Sequence, residues 1–246
     1  MRNADQWTPS KFVYHRGVLR GSRDPKALGI ASRVIADLTA RFYQRELTKF
    51  AKGQLLDLGC GKVPFYGVYK DLVSEAVCVD WSNTLHANPY VDHEIDLNGP
   101  IGLRSDSFDT VILSEVLEHI RKPEILMSEM HRLLRSGGHV IMNVPFYYGL
   151  HEQPFDYFRY TRHALRSMAE DAGLTVVHLE SIGGVPEIIA DLVSKTAMTV
   201  PTVGRITARV VQRFTGWFVS IGIGKRLSQR TSADFPFGYG LVLRKD

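Results

Sequence analysis

Cysteine is scarce in this chain of 246 residues, which has only Cys60 and Cys78. Two thiols cannot build a disulfide framework, and their spacing matches no metal-binding pattern. Buried thiols in a reducing compartment are the expectation. Long apolar runs are also missing. No stretch approaches the ~20 residues of a bilayer span, and MRNADQW lacks the apolar centre of a secretory leader. These absences lead to the expectation of a cytoplasmic protein. There is no internal repeat and no low-complexity tract. What remains is ordinary globular composition, 44% hydrophobic and 23% charged. It suits one α/β domain over residues 1–246 with room for an embellishment.

Charge is unevenly spread. Residues 1–53 hold eleven Lys/Arg against four Asp/Glu, a net of +7. Residues 54–182 hold ten against eighteen, a net of −8, and residues 183–232 hold seven against two, a net of +5. An acidic centre between basic flanks suits an anionic partner: a membrane surface, a nucleotide-linked substrate or nucleic acid. The basic segments carry no recognised nucleic-acid motif, which disfavours the last of these.

Residues 1–53 read as a loop-rich lead-in followed by a helix over 32–43, with Val34, Ile35, Leu38 and Phe42 on one face. Strands and helices then alternate. Strands are predicted at 54–58, 76–80, 90–95, 108–113, 139–144 and 174–181. Helices are predicted at 123–134, started by a proline, and at 161–171, with Thr161 as N-cap. Such alternation implies a doubly wound, mostly parallel sheet. The pattern breaks at 183–232, which reads as a basic helical insertion with helices over 186–199 and 203–221. A last strand follows at 237–245.

The stretch LLDLGCGKVPFYG, Leu55 to Gly67, runs a buried strand into a glycine turn. Open parallel sheets bind ligands at the carboxyl ends of their strands, and Gly59-Cys60-Gly61 sits at such an end. Glycines there let the backbone approach a ligand and expose amide donors. A nicotinamide dinucleotide and a sulfonium nucleoside are both candidates. A dinucleotide site wants a third glycine in G-x-G-x-x-G, but Pro64 stands at that position. Asp57 also lies just upstream. Its carboxylate would repel a pyrophosphate and attract an ammonium group. Asp80 ends the second strand and suits ribose hydroxyls. Asp96 and Leu97 follow the third strand, where an acid and an apolar wall suit an adenine.

Taken in order, LLDLGCGKVPFYG, VCVD, EIDLNGP, FDTVILSEVLEHI and LLRSGGHVIMNVPF resemble the class I S-adenosylmethionine-dependent methyltransferases of the type 11 sort. The resemblance covers about 54–181 and resumes at 237–245. It implies a Rossmann-like, seven-stranded sheet with an antiparallel last strand. It also implies S-adenosylmethionine as cofactor, with Asp57, Gly59, Cys60, Gly61, Asp80, Trp81, Asp96, Leu97, Ser114 and Glu115 lining its site. WTPSKFV, SRDPKALGIASRVIADL and FPFGYGLVLRK further resemble a branch associated with cell-envelope polysaccharide synthesis. That implies O-methylation of a saccharide or lipid-linked acceptor.

Two clusters are candidates for handling the acceptor. In HEQPFDYFRYT, four ionisable and four aromatic residues occupy one loop at the carboxyl edge. His151 is the expected base, because an imidazole titrates near neutrality. Asp156 would orient it or bind hydroxyls, and Arg159 would clamp a phosphate or carboxylate. Tyr157, Phe158 and Tyr160 would stack on a ring. An Asp156–Arg159 pair that merely pins the loop is the alternative. In EVLEH, acids near a helix start are explained by the helix dipole alone. This run also resembles a segment of ubiquinone-biosynthesis O-methyltransferases in which Glu, Glu and His hold a divalent cation. By that resemblance Glu115, Glu118 and His119 are an alternative magnesium site, and a quinone-type O-methyltransferase is the rival function. A non-catalytic, cofactor-binding scaffold at a membrane is another.

In 203–221, Ile206, Val210, Val211, Phe214, Trp217, Phe218 and Ile221 recur at helical steps, and Arg205, Arg209 and Arg213 share a different stripe. Such a helix suits a membrane interface. Packing of the apolar stripe on the chain's own domain, or on a second copy, is the alternative.

Overall fold

The computed structural model describes residues 1–82 and 88–246. A seven-stranded sheet forms the frame. Its strands are β3 (Gln54–Leu58), β4 (Glu75–Asp80), β5 (His93–Glu94), β6 (Phe108–Ser114), β7 (Leu134–Pro145), β8 (Leu174–Ile182) and β9 (Gly238–Lys245). Their order is β5-β4-β3-β6-β7-β9-β8, and β9 runs antiparallel to both of its neighbours. The neighbouring pairs from β5 to β7 are parallel. This is the doubly wound, mostly parallel sheet expected from the sequence.

Both faces of the sheet are covered, so its central strands read as mostly apolar runs rather than as alternating ones. Leu56, Leu58, Val111 and Leu113 pack on one face with Met127 and Met130. Leu55, Ile112, Ile141 and Val242 pack on the other with Phe42, Tyr43 and Leu47. The latter three belong to α1 (Arg33–Phe50), which runs seven residues beyond the expected end at Tyr43 because Leu47 continues its buried stripe. It lies so close to β9 that a Cβ on Gly240 would sit 2.5 Å from the Phe42 ring.

The other helices follow the sequence signals. A short α2 (Tyr66–Tyr69) follows the glycine turn. Proline starts α3 (Pro123–Leu133). In α4 (Arg162–Asp171) the Thr161 hydroxyl accepts from the Ala164 amide at 3.2 Å, the N-cap that the sequence suggests. Residues 183–232 hold three helices where two were expected: α5 (Val185–Met198), α6 (Gly204–Phe218) and α7 (Gly222–Thr231).

Three further expectations need correction. The lead-in is not merely loop. It forms an antiparallel hairpin of β1 (Phe12–His15) and β2 (Val18–Gly21), closed by Arg16 and Gly17 at φ 52° and 78°. Two left-handed residues are what a tight hairpin turn demands. The third sheet strand shrinks from six expected residues to His93–Glu94, an edge pair with both side chains exposed. The 139–144 strand lengthens to Leu134–Pro145, because β6 and β9 pair with it on both sides.

Candidate functional site

The glycine turn leaves β3 at the carboxyl edge. Gly59 and Gly61 have φ of +67° and +48°, the left-handed region. A Cβ on Gly59 would meet Val116 at 2.5 Å, so packing alone requires that glycine. A Cβ on Gly61 would meet nothing within 4 Å among the described residues. Asp80, at the end of β4, closes the turn from the side. Its carboxylate accepts the Gly61 amide at 2.8 Å and the Trp81 amide at 2.9 Å. Burial raises the pKa of this carboxyl, and the two amides offset only part of the rise.

Asp57 lies one strand inward and is buried. Among the described residues its carboxyl has a single side-chain hydrogen-bond partner, the Tyr69 hydroxyl at 3.4 Å. Burial pushes its pKa up to about 7, and the nearby Asp80 adds to the push. A carboxyl in this position is short of a cation. Cys60 and Cys78 are both buried and free, as expected. Its contact with Cys78, then burial, raises the pKa of the Cys60 thiol, so it has no thiolate chemistry to offer.

Asp96 and Leu97 fit their expected roles less well. One Asp96 oxygen accepts the Asn98 backbone and side-chain amides, both at 2.9 Å, which makes an ordinary Asx turn. The Leu97 side chain is packed in the core beside Leu56 and Val79. Its burial in that core leaves little of it free to form an adenine wall.

Beyond β6 the edge is polar and interlocked. Tyr43 and Ser114 hydroxyls both donate to Asn143 Oδ1, at 2.8 and 3.0 Å. Glu115 is held at φ 55° and pairs with Lys11 at 2.7 Å. Burial tends to raise the Glu115 pKa, but Lys11 outweighs it and holds the carboxyl below its usual range. A cavity of ≈130 Å³ opens beside this pair, with Lys11, Glu115, Asn143, Tyr148 and His151 on its wall.

The loop after β7 folds back over this edge. Its Tyr157 and Phe158 amides donate to the Glu118 carbonyl, at 2.9 and 3.2 Å. Phe155 meets Trp81 edge-on at 5.0 Å. His151 thereby lands between two acids, with Nε2 3.7 Å from Glu118 and Nδ1 3.3 Å from Asp156. Burial lowers the pKa of this imidazole, yet the two carboxylates win and leave it above its ordinary value.

Arg159 does not reach out as a clamp. Its two terminal nitrogens grip Asp156 at 2.6 and 2.8 Å and also bond loop carbonyls. That grip holds the Asp156 pKa down at about 2. The pair pins the loop, and Asp156 orients His151 by accepting its backbone amide at 3.0 Å. Of the expected stacking aromatics, Phe158 is 38% exposed and the two tyrosines have their hydroxyls engaged. The Tyr160 hydroxyl bonds the Leu117 carbonyl and Tyr157 bonds Arg121. The aromatics that line the cavity are Phe12, Tyr148 and Phe237 instead.

The metal alternative changes membership. Glu115 is taken by Lys11, whereas Glu118, His119 and His151 converge with ligand atoms within 4.8 Å of one another. Glu118 is fully buried, and neither of its oxygens has a hydrogen-bond partner among the described residues. The His119 Nδ1 is engaged by the Phe155 carbonyl at 2.8 Å, so its Nε2 faces the acid at 3.7 Å.

Sequence reasoning assigned no role to Lys11, Asn143 or Tyr148. Lys11 lies 104 residues from its partner, and no local pattern announces such a pair. Asn143 falls inside an apolar strand. A polar residue in a strand buried on both faces is a signal that could have found it.

The strand order and the glycine turn at the carboxyl edge define a class I methyltransferase fold. The methyltransferase domain family matches residues 28–179, and the chain belongs to that family. It is an S-adenosylmethionine-dependent methyltransferase. An S-adenosylmethionine-dependent methyltransferase from Mesorhizobium loti is 16% identical, with a TM-score of 0.54 over 88% of this chain and 98% of that one. A counterpart from Archaeoglobus fulgidus is 17% identical, with a TM-score of 0.54 over 87% and 97%. The [4+2]-cyclase SpnF is also similar in fold, at 15% identity and a TM-score of 0.57 over 85% and 83%. No curated protein sequence matches the chain.

Proposed function

We propose that this methyltransferase modifies an oxygen of a saccharide or lipid-linked cell-envelope intermediate, with the acceptor seated in the cavity beside Lys11, Glu115, Tyr148 and His151. The observation that carries this reading is His151 on the cavity wall between Glu118 and Asp156. A hydroxyl holds its proton tightly, so its methylation wants a positioned base.

The residues at the rim fit the cofactor. No described side chain crowds Gly61, the Asp80 carboxylate suits ribose hydroxyls, and Asp57, with one side-chain partner among the described residues, suits the ammonium of its amino-acid tail. When bound, S-adenosylmethionine supplies an activated methyl group. The chain's own part is then to align the acceptor and take its proton. His151 Nε2 receives that proton, while Asp156 and the Gly149 carbonyl hold the Nδ1 side. Tyr148 offers a ring face to a sugar, and Lys11 an ammonium to its hydroxyls or phosphate.

His151→Ala therefore lowers kcat by about 10²–10⁴-fold, the usual worth of a general base. S-adenosylhomocysteine affinity stays as it was. Wild-type kcat rises with pH through an apparent pKa above 6.5, since the base acts in its neutral form and its pKa is raised. Full activity of the alanine variant removes His151 from the chemistry.

The orphaned Glu118 carboxylate favours a second reading, a divalent cation held by Glu118, His119 and His151 in a quinone-type O-methyltransferase. His151 cannot be both ligand and base. Under this reading a chelator abolishes activity, and added Mg²⁺ or Zn²⁺ restores it and raises the melting temperature. Indifference to the chelator in both measurements leaves His151 as the base.

A further inference from the structure

We propose that the outward face of α5, α6 and α7 docks the protein on an anionic bilayer surface. The carrying observation is that α6 is packed the opposite way from an ordinary surface helix. Its inward residues are small or polar: Gly204, Ala208, Gln212 and Thr215 are the buried ones. The Gln212 amide oxygen accepts the Val34 amide at 2.8 Å, and its nitrogen donates to the Ser194 hydroxyl at 3.1 Å. Gly204 lies so close to α5 that a Cβ would sit 2.0 Å from the Ala197 carbonyl. The polar stripe is thus locked in place, and the apolar stripe points to solvent. Ile206, Val210, Phe214 and Trp217 are 57–61% exposed. Leu192 of α5 and Ile223 of α7 extend the same kind of surface at 59% and 72%. A monomer in water rarely leaves so much contiguous apolar area uncovered.

Charge selects the occupant. Both acids of 183–232 are turned inward. Glu187 accepts the Gly184 amide at 2.9 Å and the Ser228 hydroxyl at 2.7 Å, and Asp191 is paired with Lys195 at 2.9 Å. Arg205, Arg209 and Arg213 of α6, with Lys225, Arg226 and Arg230 of α7, form no ion pair among the described residues. A second copy on this face would bring a like set of cations against them. Nucleic acid would leave the aliphatic side chains without a role. Anionic headgroups beside an acyl boundary satisfy both sets at once.

The face also adjoins the cavity. Lys195 of α5 sits 3.4 Å from the ring centre of Tyr148, which lines it. Docking does not require the acceptor to be lipid-linked, so the two ideas are tested apart.

The test is co-sedimentation of the full chain with vesicles of phosphatidylglycerol and phosphatidylcholine, against phosphatidylcholine alone, without any acceptor. The expected result is binding to the anionic vesicles that falls about tenfold or more on the neutral ones. Phe214→Ser with Trp217→Ser, and separately Arg205→Gln with Arg209→Gln and Arg213→Gln, each lower anionic binding by about tenfold or more. Unchanged S-adenosylhomocysteine affinity shows that the variants are folded. Wild-type protein that stays in the supernatant overturns the proposal. So does undiminished binding by both variants. A stable dimer in light scattering that the serine variant abolishes assigns the face to a second copy and likewise overturns it.

Discussion

Asp80→Ala lowers S-adenosylhomocysteine affinity by about 100-fold in isothermal titration. The estimate rests on two hydrogen bonds from ribose hydroxyls to a carboxylate, at about 1.5 kcal/mol each for charged partners, with 1.4 kcal/mol per factor of ten. The structure adds a second cost. The same carboxylate accepts the Gly61 and Trp81 amides, so its loss also loosens the turn that borders the ligand. Asp80→Asn separates the two effects. It keeps one acceptor for the turn while losing the charge, so it falls between wild type and alanine. Wild-type affinity in the alanine variant takes Asp80 out of the site.

Asp57→Asn moves stability and cofactor affinity in opposite directions. The Asp57 carboxyl titrates near 7 when folded, against 3.8 ordinarily. Between those values the folded state holds a proton that the unfolded state has released. The stability tied to this group is therefore fully present below about 3.8, falls as pH rises, and is gone above about 7. Some three pKa units set an upper bound of about 4 kcal/mol on the loss. Asparagine never ionises, so the unliganded variant melts several degrees above wild type at pH 8 and close to it at pH 4. Cofactor binding weakens at pH 8, because the ammonium loses its counter-charge. A variant that melts lower at pH 8 than wild type shows that the ionised Asp57 has a cation partner already.

The sheet was legible because strands buried on both faces leave dense apolar runs such as Val111–Leu113 and Val140–Met142. Those runs owe little to distant neighbours. The hairpin at 12–21 was not legible, since strands of four residues carry too short an alternation to register. The rim acids at Asp57 and Asp80 could be read because each ends or interrupts a strand that was itself clear. The acceptor side was only half readable. A loop rich in ionisable groups was visible, but its internal pairing of Asp156 with Arg159 depends on a fold-back that local sequence does not encode. The same holds for Lys11 and Glu115. Periodicity revealed an apolar and a basic stripe on α6, but not that a third face, of Gly204, Ala208, Gln212 and Thr215, is the one that meets the body. The side on which a helix packs depends on tertiary contacts, here those of Gln212 with Val34 and Ser194 and the close approach of Gly204 to Ala197.

The bonds that Asp80 makes to two backbone amides have a thermodynamic consequence. A nucleoside reaching the rim meets an acceptor whose rotamer is already fixed, so little side-chain entropy remains to be lost on association. Recognition of the sugar is preorganised by the very turn that admits it.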